Sequence, residues 1–428
     1  MSTVTLGTRD TPYEIPSYSL TGDVLGYLRC GLQYRYSRIG KMPSRNPVQL
    51  WFGHFVHGCM DEGFRRYKVA LSGGAGPSGA MAAVDPELII PFVQERLKSQ
   101  GILANDPWLR LLGFARARVA LLDLGPYLFP LVSLSEVRLT GTRGLAALPA
   151  DKVFRRADRY EMAGVIDVVS DVEMAVHGGN PVVANARGKL GTLPPHFELI
   201  VDYKGSRRQA NVASVAGAVP SLWDQYAWQL LTYAELRSKQ VGSKPVAGGI
   251  LIYINELLPL VGDFDDLERE VSGFTTRSGV THTTDEAVPR AQIAAWRDAA
   301  RLASDAAEAE QEALTSAANP DADLISSRRL GTIVPFDIRL RRALRVIANE
   351  DTARETSLQE FDATVYKIEC HCGDEFHGKS LLDSWPPNPE DQSTCAACDT
   401  RTWCPAFQQK YAGGRQSPPQ SPRVKNRP

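Results

Sequence analysis

The chain has 428 residues, and its 48 lysine and arginine residues against 49 aspartate and glutamate residues give a formal net charge of −1. This length suits one elaborated domain or two smaller ones, and the balanced charge means that a nucleic-acid partner would need a local basic cleft. The sequence has no apolar run near the roughly 18 residues of a membrane span, no signal-peptide core and no Walker-type phosphate loop. We therefore expect a cytoplasmic protein without ATP-driven translocation of its own.

Helical patterns dominate the first third of the chain. Leucines at helical spacing behind a capping Ser19 or Thr21 predict one helix over residues 18–40, which carries Cys30. Further helices are predicted over residues 46–70, 85–99 and 106–123, the last two opened by Asp-Pro caps.

The hydrophobic period then changes to that of strands. Strands are predicted at residues 131–141, 160–171, 196–206 and 246–255, with a helix at 222–240, a long loop at 176–195 and helices at 286–318 and 335–353. The basic, Pro/Ser-rich tail 413–428 is expected to be disordered. The predicted division is a helical N-terminal part (1–130), a core (131–260), a helical insertion (261–355), a cysteine-rich segment (356–412) and the tail.

Two aspartates on neighbouring predicted strands form the first candidate site. Asp167 ends "GVID", and Asp202 begins "DYK", where strand alternation puts Asp202 and Lys204 on one face and Tyr203 on the other. Close carboxylates repel unless a cation lies between them, and hard oxygen ligands suit Mg²⁺ or Mn²⁺. Lys204 could orient or deprotonate a water, or stabilise charge on a phosphorane. The alternative is an edge ion pair with a structural role only.

Three further side chains could complete this site. His57 lies one turn after Gly53 on a predicted helix and could add a nitrogen ligand to the metal. Gln229 and Tyr233 are four residues apart on the helix after "DYKGS", so they share a face and can donate hydrogen bonds to a phosphate or to catalytic groups. A packed polar histidine and an ordinary amphipathic helix remain open as alternatives.

In chain order these motifs resemble the RecB-like nuclease branch of the PD-(D/E)XK superfamily. They are GxxxH ending at His57, GxxD ending at Asp167, DxK from Asp202 to Lys204, and QxxxY from Gln229 to Tyr233. The resemblance covers roughly residues 18–255 and a piece near the C-terminus. It implies an α/β, restriction-endonuclease-like fold, in which helices flank a mixed central sheet, with helical additions at both ends.

The same resemblance implies an activity and a set of roles. The expected activity is Mg²⁺- or Mn²⁺-dependent hydrolysis of DNA phosphodiester bonds by an exonuclease acting on single strands or ends. It implies that His57, Asp167, Asp202 and the Tyr203 carbonyl bind the metal, and that Lys204 helps to activate water. Gln229 and Tyr233 would position the catalytic groups or the DNA. Glu136, on the preceding strand, matches a position that is often acidic in this branch and is a candidate auxiliary ligand.

The clustering of the seven cysteines favours metal binding over disulfides in a cytoplasmic chain. Cys395, Cys398 and Cys404 with the distant Cys30 could hold zinc or an iron–sulfur cluster, because both accept four sulfur ligands. Their arrangement looks like the iron–sulfur staple of RecB-like nucleases, which implies a 4Fe–4S cluster. The alternative is a zinc ribbon made by Cys370, Cys372, Cys395 and Cys398.

Basic residues just after the third strand are candidate DNA contacts. Arg207 and Arg208 in "KGSRRQ" could pair with phosphates. A helicase or a repair or CRISPR-adaptation protein is a candidate partner, and the process could be repair, recombination, adaptation, or phage or plasmid DNA processing. A second class of function stays open, in which a nuclease-like fold binds DNA ends as a scaffold with little or no cleavage.

Overall fold

The computed structural model describes most of the chain, namely residues 15–42, 48–104, 106–154, 157–212, 214, 219–273, 275, 288–299, 301–302, 334–390 and 392–411. The chain divides into two compact units, each made of segments that are distant in sequence. Unit 1 contains residues 1–45, 138–164 and 351–428, and unit 2 contains residues 46–137 and 165–350.

The longer helices are numbered α1 to α8 in chain order. They are α1 (Val48–Ser72), α2 (Pro86–Ser99), α3 (Pro107–Val119), α4 (Pro181–Leu190), α5 (Leu222–Ser238), α6 (Val261–Val271), α7 (Phe336–Ala343) and α8 (Asp351–Phe376). Short helices cover Leu25–Arg29, Gly31–Tyr34, Pro77–Met81, Gly125–Leu128, Met174–His177, Ile254–Leu257, Leu381–Ser384, Gln392–Ala397 and Pro405–Tyr411. Single π-helical turns occur at Leu20–Val24, Arg35–Ile39 and Ala120–Leu124, and 3₁₀ turns at Phe129–Leu131, Ala150–Lys152 and Arg401–Trp403.

Six strands form a mixed sheet that is flanked by helices. They are β1 (Ser17–Ser19), β2 (Val132–Gly144), β3 (Arg159–Glu173), β4 (His196–Lys204), β5 (Val246–Tyr253) and β6 (Leu344–Ala348). The order is β1-β3-β4-β5-β6, and β2 also pairs with β3. The β3–β4 and β5–β6 pairs are antiparallel, whereas the β1–β3 and β4–β5 pairs are parallel. The expected α/β class with a mixed central sheet is therefore confirmed.

The core of unit 2 lies on both faces of its strands. Residues Phe197–Tyr203 of β4 are all buried, which explains why this strand is almost continuously apolar instead of alternating. Two glycines of β5 let neighbours approach closely: a Cβ on Gly248 would lie 2.5 Å from the Ile347 carbonyl oxygen, and one on Gly249 would lie 2.7 Å from Leu230. These glycines therefore bring β6 and α5 close to the central strand.

The structure corrects the predicted helix over residues 18–40. β1 occupies Ser17–Ser19, and the helical chain that follows is broken at Cys30, which is extended with φ −164° and ψ 110°. A Cβ on the next residue, Gly31, would lie 3.0 Å from Pro386, so the chain passes close to a neighbouring segment here. Leucine spacing alone does not reveal this interruption, because it reports on a helix face and not on the neighbours of one residue.

Two other predicted elements also differ. The predicted loop 176–195 contains α4, because Asn180 caps it by accepting a hydrogen bond from the Val182 N–H and Pro181 stands at the first helical position. The predicted helix 335–353 is α7 followed by the strand β6, and α8 begins at Asp351. Of the predicted helix 286–318, residues 290–299 are helical, and most of the rest lies outside the described residues, as does the tail 413–428.

None of the helices in the described ranges combines the length and the apolar character that a membrane span requires.

Candidate metal centre and cysteine site

The first candidate site lies in unit 2, where α1 packs against the end of β4. A Cβ on Gly205 would lie 2.8 Å from the Phe52 ring and 3.5 Å from Gly53 Cα, so glycine permits the close approach of α1. His57, one turn further along α1, places its Nε2 2.8 Å from the Tyr203 carbonyl oxygen. Its other nitrogen, Nδ1, lies 3.3 Å from Asp167 Oδ2.

The pairing of β3 with β4 brings the two aspartates together. Val168 pairs with Val201 in this antiparallel ladder, so one further step sets Asp167 opposite Asp202 on the same face. The Tyr203 backbone N–H also donates to Asp167 Oδ2 over 2.8 Å. Both carboxylates are buried, with Asp167 9% and Asp202 3% exposed. The predicted adjacency of the two carboxylates is present.

Glu136 completes a set of three ligand groups. One atom each from His57, Glu136 and Asp167 lie within 4.8 Å of one another, and no other group of three or more His, Cys, Asp or Glu ligand atoms in the described ranges does so. Glu136 has φ 49°, a left-handed conformation that is costly for a residue with a Cβ. It is exposed, whereas the two aspartates are buried, so this side of the site opens to solvent.

Lys204 and α5 hold Asp202 at the inner side of the site. Lys204 Nζ lies 2.5 Å from Asp202 Oδ2 and donates to Gln229 Oε1 over 2.8 Å. Gln229 Nε2 lies 3.1 Å from both Asp202 Oδ1 and the Tyr233 hydroxyl. The predicted common face of Asp202 and Lys204, and of Gln229 and Tyr233, is therefore seen in direct contacts.

Sequence reasoning did not single out Tyr226, although it belongs to this network. The Lys204 ammonium lies 4.3 Å from the centre of the Tyr226 ring, a cation–π contact. Tyr226 stands three residues before Gln229 on α5, so the helical repeat that joined Gln229 to Tyr233 also contained the signal for Tyr226.

The protonation states follow from burial and from these neighbours. Burial opposes a charged imidazole, but the carboxylates of Asp167, Asp202 and Glu136 together outweigh burial and raise the pKa of His57 to about 9. Burial likewise opposes the Lys204 ammonium, but the adjacent Asp202 carboxylate raises the pKa of Lys204 above its usual value. Burial raises the pKa of Glu136, and the nearby Asp167 raises it further. Lys204 is therefore a proton-carrying cation at neutral pH and not a base.

The donor set fits a hard divalent cation. Imidazole nitrogen together with carboxylate oxygens suits Mn²⁺, and the carboxylates suit Mg²⁺. The buried Asp202 Oδ2 is engaged by the Lys204 ammonium over 2.5 Å. The three grouped ligands include Glu136, which was predicted only as an auxiliary ligand, together with His57 and Asp167. The Tyr203 carbonyl, a predicted ligand, instead contacts His57 Nε2.

The structure places Arg207 and Arg208, the two predicted DNA contacts, in hydrogen bonds and ion pairs within unit 2. Arg208 is 2% exposed, and its Nη1 donates to the backbone carbonyls of Arg342 and Leu344 over 2.8 and 3.0 Å. Arg207 Nη1 donates to Glu270 Oε1 over 2.7 Å on α6. Both guanidinium groups therefore form contacts within unit 2. The sequence shows that two basic residues are adjacent, but it does not show whether their side chains face solvent.

The second candidate site lies in unit 1, where all four cysteines of the predicted cluster line one small cavity that is partly open to solvent. They are Cys30, Cys395, Cys398 and Cys404. The Asn388 backbone N–H donates to Cys30 Sγ over 3.4 Å, which would stabilise a thiolate there. Burial raises the pKa of the Cys30 thiol, and the nearby Cys398 and Cys404 raise it further.

Cys370 and Cys372, which the zinc-ribbon alternative requires, do not line this cavity. Both lie on α8, where Cys372 is buried and Lys152 is close enough to Cys370 to lower the pKa of its thiol, although burial raises that pKa more. Thiolates around one zinc ion lie roughly 3.8 Å apart, given a Zn–S distance of about 2.3 Å in a tetrahedron. No set of cysteine sulfurs in the described ranges is that compact.

The sequence was also compared with known proteins. No family model matches it, and no curated protein matches it.

Proposed function

We propose that the protein is a divalent-metal-dependent deoxyribonuclease of the RecB-like PD-(D/E)XK type. The observation that supports this most is the convergence of His57, Glu136 and Asp167 beside the buried Asp202–Lys204 pair. These residues come from one helix and three strands of unit 2, and α5 braces them through Gln229. Buried charged groups are costly to the stability of a fold, so packing alone does not explain their convergence here. Phosphodiester hydrolysis does use such groups, because it requires a metal cation, a positioned water and a positive charge.

The roles of the residues follow from their contacts. Mg²⁺ or Mn²⁺ would be held by His57, Glu136 and Asp167, with Asp202 beside them, and would supply charge stabilisation and an acidified water. Lys204, a cation, would orient the attacking water by hydrogen bonding and stabilise negative charge on the phosphorus oxygens. Gln229 holds Lys204 and Asp202 in place through one hydrogen bond to each, and Tyr233 and Tyr226 border this pair.

We also propose that Cys30, Cys395, Cys398 and Cys404 hold an iron–sulfur cluster. Each thiolate of such a cluster binds a different iron atom, so the four sulfurs need not be as close as around one ion. Four cysteines around one cavity, with a backbone N–H directed at Cys30 Sγ, suit this arrangement.

The nuclease proposal is tested with end-labelled single-stranded DNA in the presence of Mn²⁺, with chelator as a blank. Lys204→Ala and Asp167→Asn should each lower the rate of cleavage by at least about 100-fold, because each removes a charge that acts on the reacting phosphate. Lys98→Ala is the matched control, since Lys98 is 62% exposed on α2 and forms an ion pair with Glu95 on the same helix.

Cleavage by the parent that persists unchanged in Lys204→Ala would contradict the proposed site. A parent that binds the labelled strand in every condition but never cleaves it would favour the scaffold alternative. Digestion from one end, seen as loss of the end label before internal fragments, would identify an exonuclease.

A further inference from the structure

A groove with polar and apolar lining residues runs along the outer side of α1, between this helix and the first residues of β2. Its volume is about 910 Å³ when the space open to solvent is included. Its polar lining residues are Asp61, Arg65, Lys68, Ser72, Ser133 and Ser135. The α1 residues recur every three or four positions, so they form one continuous stripe along the helix. We call this feature the phosphate groove.

The phosphate groove begins at the metal centre. Asp61 lies one turn after His57 on α1, and Ser135 precedes Glu136 on β2. The Ser135 hydroxyl donates to Asp61 Oδ1, which links the two walls of the groove at this end. Because Glu136 is the exposed member of the three ligand groups, the groove starts where the centre opens to solvent.

Two cations line the groove beyond this point. Arg65 Nε and Nη2 donate to the buried Glu62 carboxylate over 2.7 and 2.6 Å, while the side chain remains 59% exposed. Glu62 therefore fixes the direction of the guanidinium and leaves its other edge towards solvent. Lys68 is exposed one turn further along. Since Arg66 also pairs with Glu62, the buried carboxylate does not cancel the positive charge of this stretch.

A third cation, Arg96 of α2, packs against α1 near the metal centre, although it is not one of the residues that line the groove. A Cβ on Gly58 would lie 2.6 Å from Arg96 Nη2, so glycine at this position makes room for the guanidinium directly above α1. Arg96 also acts electrostatically on Glu136. Arg96, Arg65 and Lys68 thus follow one another along α1, away from the three ligand groups.

We propose that the phosphate groove binds the sugar–phosphate backbone of a polynucleotide strand that leads away from the metal centre, with Arg65 and Lys68 contacting its phosphates. At 1.5 Å per helical residue, these side chains stand about 12 and about 16 Å from His57 along the axis. A few nucleotides span this distance, so the groove would contact the strand beyond the reacting phosphate. The inference rests on the proposed nuclease function and adds how the protein would hold the DNA substrate.

The test separates binding from chemistry. The double variant Arg65→Gln/Lys68→Gln is compared with the control Lys98→Gln/Lys239→Gln, which removes two exposed cations that each pair with a glutamate three or four residues earlier in the chain. Binding of a fluorescent single-stranded oligonucleotide is measured by anisotropy across a salt series in the presence of Ca²⁺. Hydrolysis of a small diester, the p-nitrophenyl ester of thymidine 5′-monophosphate, is measured with Mn²⁺ because this substrate is too short to reach Arg65.

Loss of two phosphate contacts should raise Kd by about 25-fold at about 0.1 M salt and lower the salt slope by about 1.4, since each single-strand contact contributes about 0.7. The groove variant should hydrolyse the small diester like the parent, which also shows that it is folded. Equal binding by the groove variant and the parent, or no binding by the parent, would overturn the inference. A parent that binds through the groove but hydrolyses neither substrate would overturn the nuclease proposal and leave the groove supported.

Discussion

At the scale of single residues, His57 shows how the centre balances its charges. Both ring nitrogens face oxygen atoms, Asp167 Oδ2 at 3.3 Å and the Tyr203 carbonyl at 2.8 Å, so the imidazole can donate to both only when it is protonated. This geometry agrees with the rise of the His57 pKa to about 9 despite burial. In the absence of metal, the proton on His57 therefore supplies the positive charge that the carboxylates need.

This raised pKa predicts a pH dependence of stability for protein treated with chelator. A folded-state pKa of about 9 against an ordinary value of 6.5 means that protonated His57 stabilises the fold fully below about pH 6.5, and that this contribution is lost as the pH rises through about 9. The difference in free energy of unfolding between the parent and His57→Gln should therefore be larger at about pH 6 than at about pH 9.5.

Urea unfolding followed by tryptophan fluorescence measures this difference. His196→Gln supplies the control, since His196 is an exposed histidine on β4 with a 3.3 Å contact to the equally exposed Glu173. A difference between parent and His57→Gln that stays constant over this range would contradict the assigned protonation of His57.

At the scale of elements, a buried ion pair joins α5 to β4. Arg237 Nε and Nη2 donate to the two oxygens of Glu198 over 2.7 Å each, and the two residues are 8% and 3% exposed. Because α5 also carries Gln229, this pair helps to fix the helix that supports Lys204 and Asp202.

Removing one partner of this ion pair should lower the free energy of unfolding. Arg237→Met leaves the Glu198 carboxylate buried without its partner and should destabilise unit 2 by about 3–5 kcal/mol. The double variant Glu198→Leu/Arg237→Met removes both charges and should recover most of that loss, because an apolar pair of similar size avoids the desolvation cost. The midpoint of urea unfolding is the measurement, and equal midpoints for Arg237→Met and the parent would show that the pair does not hold α5.

At the scale of the whole molecule, the proposed cluster would join distant parts of unit 1. Cys30 belongs to its first segment, and the other three cysteines belong to its last. Metal binding to such a site contributes folding free energy, because the ligands are far apart in the unfolded chain. Loss of the cluster should therefore destabilise unit 1 as well as remove iron.

Cys404→Ser tests this expectation against the zinc ribbon. After anaerobic purification, the parent should contain iron and show thiolate-to-iron charge-transfer absorbance. Cys404→Ser should lose both and should be cleaved faster than the parent by protease within the segments of unit 1. Cys370→Ser is the matched control and should keep its iron. Zinc in the parent that is lost in Cys370→Ser but kept in Cys404→Ser would instead support the ribbon.

Much of the carboxylate site could be predicted from the sequence because its parts are local patterns. Alternation along β4 put Asp202 and Lys204 on one face, and the four-residue repeat on α5 put Gln229 beside Tyr233. The same rules do not identify β6, which follows α7 without a turn signal, or the break at Cys30, which lies within a regular leucine pattern. From the sequence, Arg208 is predicted to be a surface cation, whereas in the structure its guanidinium donates to buried backbone carbonyls.

The sequence by itself determined the residue types of both candidate sites, their order along the chain and the faces that neighbours share, because helical and strand periods act over a few residues. Only the tertiary structure decided that Glu136 joins His57 and Asp167, that Arg207 and Arg208 lie in internal contacts, and that Cys30 meets Cys395, Cys398 and Cys404 around one cavity. These outcomes depend on strand register and on the packing of segments far apart in the chain. Local periodicity carries no information about such distances, since every long-range contact is fixed by the whole set of packed neighbours.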